Sequence, residues 1–225
     1  MSPAGALHVL FDLDGTLVDS RGAVSACYAR VFADELGQPF PPDGLDAGEV
    51  FAMRPAELFA RIAPTRVAAL HAAYRAAYPG CAAEVRVFPG VAALLNRLVA
   101  AGRRVSLVTN KGLERTLIDL GVAGIGPEIF DAVVTAEDTA ERKPHPAPIL
   151  LGLDRAGADP ARAVYVGDGP QDILAAHAAG IPAVAVTYGF YGPGALSPLA
   201  PAALVDDVAG LAAALGLPAG AEVPR

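Results

Sequence analysis

Short apolar runs rich in β-branched residues alternate with longer alanine-rich segments along most of the chain. The short runs have the length of buried strands, and the longer segments carry the apolar spacing of helices. Such alternation is typical of a parallel sheet flanked by helices, so we predict an α/β fold with a Rossmann-like parallel sheet core. The predicted strands lie near Leu7–Phe11, Val105–Val108, Ala132–Val134, Ala163–Val166 and Ala183–Val186, and the predicted helices near Val91–Ala101, Leu113–Leu120, Pro146–Ala156, Pro170–Ala179 and Val208–Leu215.

The interval from about Ser20 to Tyr78 is different, because its apolar spacing is helical and it contains no convincing strand. A stretch of about sixty residues is too long for an ordinary connection between a strand and a helix. We therefore predict an all-helical cap domain at residues 19–85, inserted into an α/β core of residues 1–18 and 86–225. An insertion directly after the first strand is well placed to act as a lid. Its helical segments are expected from Ser20 to Phe32 and at Gly48–Met53, Pro55–Ile62 and Thr65–Tyr78.

The amino-acid composition limits the binding partners and the cellular location that we expect for this protein. The net charge is −7 and no basic stripe is present, so neither nucleic acid nor an anionic membrane is an expected partner. The uncharged run from Ile181 to Val205 is interrupted by prolines and glycines, which favours a strand and loop over a membrane span. Cys27 and Cys81 lack metal-ligand spacing, and the first residues lack a secretory signal pattern. We expect a soluble cytoplasmic protein.

Two aspartates, Asp12 and Asp14, close the first predicted strand. Side chains two apart in a strand point the same way, so these carboxylates repel each other unless a cation or a shared proton lies between them. Gly15 then allows a tight turn, which places the pair at the end of the strand. Taken alone, the run is equally typical of a solvated turn.

Polar residues follow other predicted strands at the same edge of the sheet. Thr109-Asn110-Lys111 ends the second strand, Lys143 precedes a later helix, and the fourth strand ends in Gly167-Asp168-Gly169-Pro170-Gln171-Asp172. Ligand sites of α/β proteins form at this edge, which favours a functional site over a polar turn. Its chemistry rests on the residues Asp12, Asp14, Thr109, Asn110, Lys143, Asp168 and Asp172.

The charges of these residues point to a cation and a phosphate. Carboxylates at roughly 5 Å repel by about 3 kcal/mol per pair at an effective dielectric constant of about 20. Mg²⁺ relieves such repulsion and binds carboxylates together with a phosphate oxygen. A lysine, a threonine and backbone amides suit the remaining phosphoryl oxygens. The sequence therefore predicts phosphoryl transfer with a carboxylate nucleophile.

At these positions the chain resembles the haloacid dehalogenase superfamily of phosphatases. Asp12-Leu13-Asp14-Gly15-Thr16-Leu17-Val18-Asp19-Ser20 is similar to the first motif of that family, Thr109 to the second, Lys143-Pro144 to the third, and Gly167-Asp168 through Asp172 to the acidic fourth. Thr109-Asn110-Lys111 and Lys143-Pro144-His145-Pro146 most resemble the phosphoglycolate phosphatase group.

The resemblance implies a role for each residue. Asp12 attacks phosphorus and forms an aspartyl-phosphate, while Asp14 protonates the leaving oxygen and then deprotonates the attacking water. Mg²⁺ is held by the Asp12 carboxylate, the Asp14 backbone carbonyl and Asp168, with Asp172 supporting the metal or its waters. The phosphoryl group is bound by Thr109, Asn110 and Lys143.

Several alternatives stay open at the level of sequence. A sugar phosphomutase would pass the phosphoryl group to a hydroxyl instead of water, and a regulator would bind phosphate without turnover. Arg54 is a candidate to grip a substrate carboxylate or a surface ion-pair residue, and Lys111 either edges the site or faces solvent. We expect a small phosphorylated metabolite as the partner, and a monomer or small homo-oligomer.

Overall fold

The computed structural model describes residues 2–42, 44–45, 50–51 and 53–218. The chain divides into two compact units. The sheet unit comprises Met1–Asp19 and Val87–Arg225, and the helical unit comprises Ser20–Arg86. Every residue predicted to carry chemistry, apart from Arg54, belongs to the sheet unit.

Parallel strands form the centre of the sheet unit, and their spatial order is β5 (Ala132–Val134), β4 (Arg104–Val108), β1 (His8–Phe11), β6 (Ala163–Gly167), β7 (Ala183–Val186) and β8 (Ala203–Val205). This order reverses direction between β1 and β6, which is the switch point where doubly wound folds bind ligands. All residues of β1 and of β6 are buried, as expected for central strands covered on both faces. The two remaining strands, β2 (Val18–Asp19) and β3 (Arg86–Val87), pair with each other in a separate small sheet.

Helices connect successive strands of this sheet and cover it. Leu10 and Val108 on the sheet share one apolar cluster with Ile149 and Ile173 on two of these helices. The predicted parallel sheet flanked by helices is confirmed. Of the six strands in this sheet, only the short strand β8 was not predicted from the sequence. The helices of the sheet unit are α4 (Val91–Ala100), α5 (Leu113–Ala123), α6 (Ala147–Arg155), α7 (Pro170–Ala178), α8 (Pro193–Leu196) and α9 (Val208–Ala214).

The helical unit contains α1 (Arg21–Val31), α2 (Pro55–Ile62) and α3 (Val67–Cys81). Its interior is aromatic: the Tyr28 ring lies 4.9 Å from that of Tyr74 and 5.9 Å from that of Phe59, measured between centroids. The helical segment predicted at Gly48–Met53 falls largely outside the described residues. In the described part of the chain, no helix is both long and apolar enough to cross a membrane.

Candidate active site

The carboxyl ends of β1, β4 and β6 carry Asp12, Thr109 and Asp168, one residue beyond each strand. The backbone of Asp12 still follows the sheet, because its N–H donates to the carbonyl of Val166 at 2.9 Å. Thr109 is held in the same way by the carbonyl of Val134, also at 2.9 Å. The strand register therefore brings these three side chains to one edge of the sheet, at the switch point between β1 and β6.

Three buried carboxylates meet at this edge. Asp12, Asp168 and Asp172 each offer one oxygen, and these oxygens lie within 4.8 Å of one another. Burial removes the water that would otherwise screen their repulsion. Hard oxygen ligands in such a group are the donor set that Mg²⁺ prefers, so the residues present fit this ion.

Lys143 neutralises part of this charge. Its Nζ lies 3.0 Å from Asp12 Oδ1 and 2.7 Å from Asp172 Oδ1. It also donates to the Tyr165 hydroxyl at 2.6 Å, and that hydroxyl donates in turn to the carbonyl of Val108 at 2.7 Å. All three ammonium protons therefore have oxygen partners inside the protein, which fixes the direction of the lysine.

Electrostatics set the protonation of the group. Burial raises the pKa of Asp12; Lys143 lowers it, Asp172 and Asp14 raise it further, and the result is about 7. Burial, with the charges of Asp172 and Asp12, raises the pKa of Asp168 well above its usual value. For Lys143 burial lowers the pKa, but Asp12 and Asp172 outweigh it and the pKa lies above the ordinary value. Fully ionised, the three carboxylates would hold more negative charge than one lysine balances, and a bound cation would relieve that excess.

Asp14 lies at the rim of this group, with a quarter of its side chain exposed. Its Oδ1 accepts a hydrogen bond from Lys111 Nζ at 2.8 Å. Lys111 is itself buried and also pairs with the fully buried Asp119 of α5. Lys111 therefore lies at the edge of the site and does not face solvent. Asp119 was not predicted from the sequence, although an acidic residue among the apolar positions of a helix is a signal that the sequence contains.

Asn110 joins two loops of the site. Its Nδ2 donates to the carbonyl of Lys143 at 2.9 Å, and its Oδ1 accepts from the N–H of Lys143 at 3.0 Å. Thr109 Oγ1 accepts from the N–H of Lys111 at 3.1 Å. The contacts of Asn110 thus place the Lys143 loop beside the end of β4, and substrate binding by Thr109 and Asn110 stays a prediction.

A loop after β7, which the sequence reading did not include, supports Asp168. The N–H of Phe190 donates to Asp168 Oδ2 at 2.7 Å, and the Tyr188 hydroxyl donates to the carbonyl of Thr16 at 3.0 Å. Gly189 packs so closely that a Cβ there would lie 2.3 Å from the carbonyl oxygen of Gly15. Nothing in the periodicity of the sequence marks such a close approach between two loops.

Arg54 belongs to the helical unit, at the N-terminus of α2. Its guanidinium pairs with Glu57, and Glu57 Oε2 accepts from the N–H of Arg54 at 2.9 Å. Half of the Arg54 side chain is exposed. These contacts belong to a helix cap, and the gripping of a substrate carboxylate by Arg54 stays a prediction.

Comparison with known proteins places this geometry in context. The sequence profile of the family described as haloacid dehalogenase-like hydrolase matches residues 9–186. The chain is 36% identical over 216 residues to a plasmid-encoded phosphoglycolate phosphatase of Cupriavidus necator, covering 92% of each protein. It is also 36% identical over 223 residues to a phosphoglycolate phosphatase of Rhodospirillum rubrum, covering 93% of this chain and 91% of that one. Among solved structures, a mutant of CbbY from Rhodobacter sphaeroides in complex with xylulose-(1,5)-bisphosphate superposes with a TM-score of 0.82 at 26% identity, covering 94% of this chain and all of that one.

Proposed function

Since this chain belongs to the haloacid dehalogenase-like hydrolases, we propose that it is a Mg²⁺-dependent phosphatase that hydrolyses a small, phosphoglycolate-like phosphomonoester through an aspartyl-phosphate. The observation that carries the proposal is the buried group of Asp12, Asp168 and Asp172, with Lys143 paired to Asp12 and Asp172. Family membership makes the chain a hydrolase of the phosphatase type. The metal, the intermediate and the substrate are the parts that need testing.

Asp12 is the proposed nucleophile. Its Oδ1 accepts from the N–H of Leu13 at 2.8 Å and lies beside Lys143, so the carboxylate is held in one orientation before substrate arrives. In the first step a carboxylate oxygen of Asp12 bonds to phosphorus, the bond between phosphorus and the leaving oxygen breaks, and Asp14 gives that oxygen a proton. In the second step Asp14 takes a proton from water, the water oxygen bonds to phosphorus, and the Asp12 carboxylate is released.

Asp12 and Asp168 are the side chains proposed to hold Mg²⁺, together with the backbone carbonyl of Asp14. When bound, the ion neutralises charge on the carboxylates and on the phosphoryl oxygens. Both oxygens of Asp172 already accept hydrogen bonds, from Lys143 Nζ at 2.7 Å and from the N–H of Gly169 at 2.9 Å. We therefore propose that Asp172 chiefly orients Lys143, and that it supports the metal without bonding to the ion directly.

The phosphoryl group itself is proposed to contact Lys143, with Thr109 and Asn110 nearby. Lys143 Nζ lies 3.0 Å from Asp12 Oδ1, so its positive charge already stands where a phosphoryl group on Asp12 would need it, and the lysine need not reorient when substrate binds. Its compact point charge suits this task better than the planar fork of an arginine. Lys111 and Lys143 are the only lysines of the chain.

The substrate is proposed from the similarity of this chain to known proteins. The phosphoglycolate phosphatases named above favour a small phosphorylated carboxylic acid, and the complex of CbbY with xylulose-(1,5)-bisphosphate makes a sugar phosphate the second candidate. We further propose that the helical unit acts as a cap and that Arg54 grips a substrate carboxylate. The protein is proposed to act in the cytoplasm, as a monomer or small homo-oligomer, with neither nucleic acid nor membrane as partner.

A turnover assay tests this function. We expect purified protein to hydrolyse p-nitrophenyl phosphate with Mg²⁺, to lose activity with EDTA, and to regain it when Mg²⁺ is restored. Asp12→Asn should lower kcat by about 10³-fold or more, while circular dichroism shows the fold intact. Full activity in EDTA would remove the metal from the proposal, and phosphate binding without any turnover would favour the regulator.

A screen of phosphomonoesters then separates the substrate candidates. Preference for phosphoglycolate, lost in Arg54→Ala but not in Arg97→Ala, would support the carboxylate grip. Net conversion of one sugar phosphate into an isomer, without release of phosphate, would instead indicate a phosphomutase.

A further inference from the structure

Both lysines of the chain are buried, and each lies between two aspartates. Lys143 joins the proposed nucleophile Asp12 to Asp172, and Lys111 joins the proposed acid–base residue Asp14 to Asp119. The mechanism described above uses the first of these arrangements and leaves Lys111 and Asp119 without a task.

Lys111 is held at both ends, at its backbone and at its ammonium group. Its N–H donates to Thr109 Oγ1 at 3.1 Å and its carbonyl accepts from the N–H of Ala136 at 2.9 Å. At the other end, Nζ donates to Asp14 and to Asp119, and the Asp119 side chain has no exposed surface. The ammonium therefore sits at a defined point beside Asp14.

Asp14 needs such a support more than Asp12 does. It lies in the turn after β1, directly before Gly15 with its positive φ of 76°, and its side chain is a quarter exposed. A partly exposed carboxylate can take several rotamers, and proton transfer requires one of them. A buried Lys–Asp pair is costly to desolvate and often adds no stability, so its use here calls for a role in placement.

We propose that Lys111, anchored by Asp119, is a positioning residue that holds the Asp14 carboxylate in the orientation needed for proton transfer. Lys111 neither gives nor takes a proton and does not bind the phosphoryl group. The proposal rests on the proposed function, because it assumes that Asp14 is the general acid and base.

The two roles have different signatures in kinetics. Protonation of the leaving oxygen matters greatly for an alkyl phosphate, whose alkoxide is a poor leaving group, and little for dinitrophenyl phosphate, whose phenolate leaves unaided. Asp14 also activates the water that hydrolyses the aspartyl-phosphate, so kcat depends on Asp14 for both esters, whereas kcat/KM reports only the steps up to formation of that intermediate. A residue that places the acid therefore lowers kcat/KM for the alkyl ester selectively. A residue that binds phosphate or supports the fold affects both esters alike.

The experiment compares kcat/KM for phosphoglycolate with kcat/KM for dinitrophenyl phosphate at saturating Mg²⁺. Because Lys111→Met removes the ammonium that pairs with the buried Asp119, the milder Asp119→Asn and the double variant Lys111→Met/Asp119→Leu are included, with thermal melts to show that each is folded. Glu114→Gln makes the same change of charge as Asp119→Asn on an exposed position of α5 and serves as the control.

We expect the folded Lys111 and Asp119 variants to lose about 10- to 100-fold in kcat/KM on phosphoglycolate, within the range of acid–base help, and less than about 3-fold in kcat/KM on dinitrophenyl phosphate. The control should match wild type on both esters. Equal losses of kcat/KM on both esters would overturn the assignment of Lys111.

Asp14→Asn separates this inference from the function beneath it. If Asp14→Asn shows the selective loss and the Lys111 and Asp119 variants do not, only the positioning role fails. If Asp14→Asn itself loses kcat/KM equally for both esters, the role of Asp14 as the acid for the leaving group fails and the positioning role falls with it.

Discussion

Buried charge at the carboxyl edge of the sheet is arranged so that each ammonium meets two carboxylates. At Lys143 this leaves no proton without an oxygen, and at Asp172 it leaves neither oxygen without a donor. Groups that satisfy one another in this way hold their positions without bound substrate. The direction of Lys143 toward Asp12 therefore depends on Asp172.

Asp172→Asn tests this dependence. An amide can accept from Lys143 through its oxygen, but its NH₂ would then face the N–H of Gly169, which is also a donor. We expect kcat/KM for p-nitrophenyl phosphate to fall by about 10- to 100-fold, which is the usual loss when a residue that orients a metal ligand through a hydrogen bond is replaced. The matched Asp154→Asn on α6 should behave as wild type, and an unaltered Asp172→Asn would show that Lys143 is placed by other contacts.

Among the elements, strands and loops differ in how far the sequence predicts them. The ends of β1, β4 and β6 could be located from apolar runs followed by polar residues, and parallel strands necessarily bring those ends to one edge. The approach of Gly189 to Gly15, and the pairing of Asp119 with Lys111, depend on how separate segments pack. Neither contact produces a periodic pattern of residues, so neither could be predicted from the sequence.

The loop after β7 carries a prediction of its own. A Cβ at Gly189 would lie 2.4 Å from Asp168 Cβ and 2.3 Å from the Gly15 carbonyl oxygen, so Gly189→Ala must displace Asp168 or the turn after β1. We expect the Mg²⁺ concentration for half-maximal activity to rise by about 10-fold or more, in line with changes behind a metal ligand.

Gly192→Ala is the control for that loop, because a Cβ at Gly192 meets no atom within 4 Å. It should leave the Mg²⁺ dependence unchanged. Equal Mg²⁺ dependence of the two alanine variants would show that the loop does not position Asp168.

For the molecule as a whole, the sequence predicts the sheet unit better than the helical unit. The sheet unit repeats one pattern of buried strand and amphipathic helix. The elements that were not predicted there include the strands β2 and β8 and the helix α8, which have two to four residues each and are too short to show a period. In the helical unit the apolar spacing predicts helices, but their mutual packing rests on aromatic contacts such as Tyr28 with Tyr74, which spacing does not specify. The residues proposed to carry the chemistry could thus be predicted where the strands end, and selection of the leaving group by the helical unit stays a prediction.

The most direct test of the account is to trap the intermediate on Asp12. Asp14→Asn, which retains the nucleophile but lacks the base for hydrolysis, is mixed with dinitrophenyl phosphate and Mg²⁺, quenched in acid and reduced with borohydride. Reduction converts an aspartyl-phosphate to homoserine, which peptide mass spectrometry locates. The account predicts homoserine at position 12, and none in the Asp12→Asn/Asp14→Asn variant or in EDTA. Release of dinitrophenol without any modification at position 12 would contradict it.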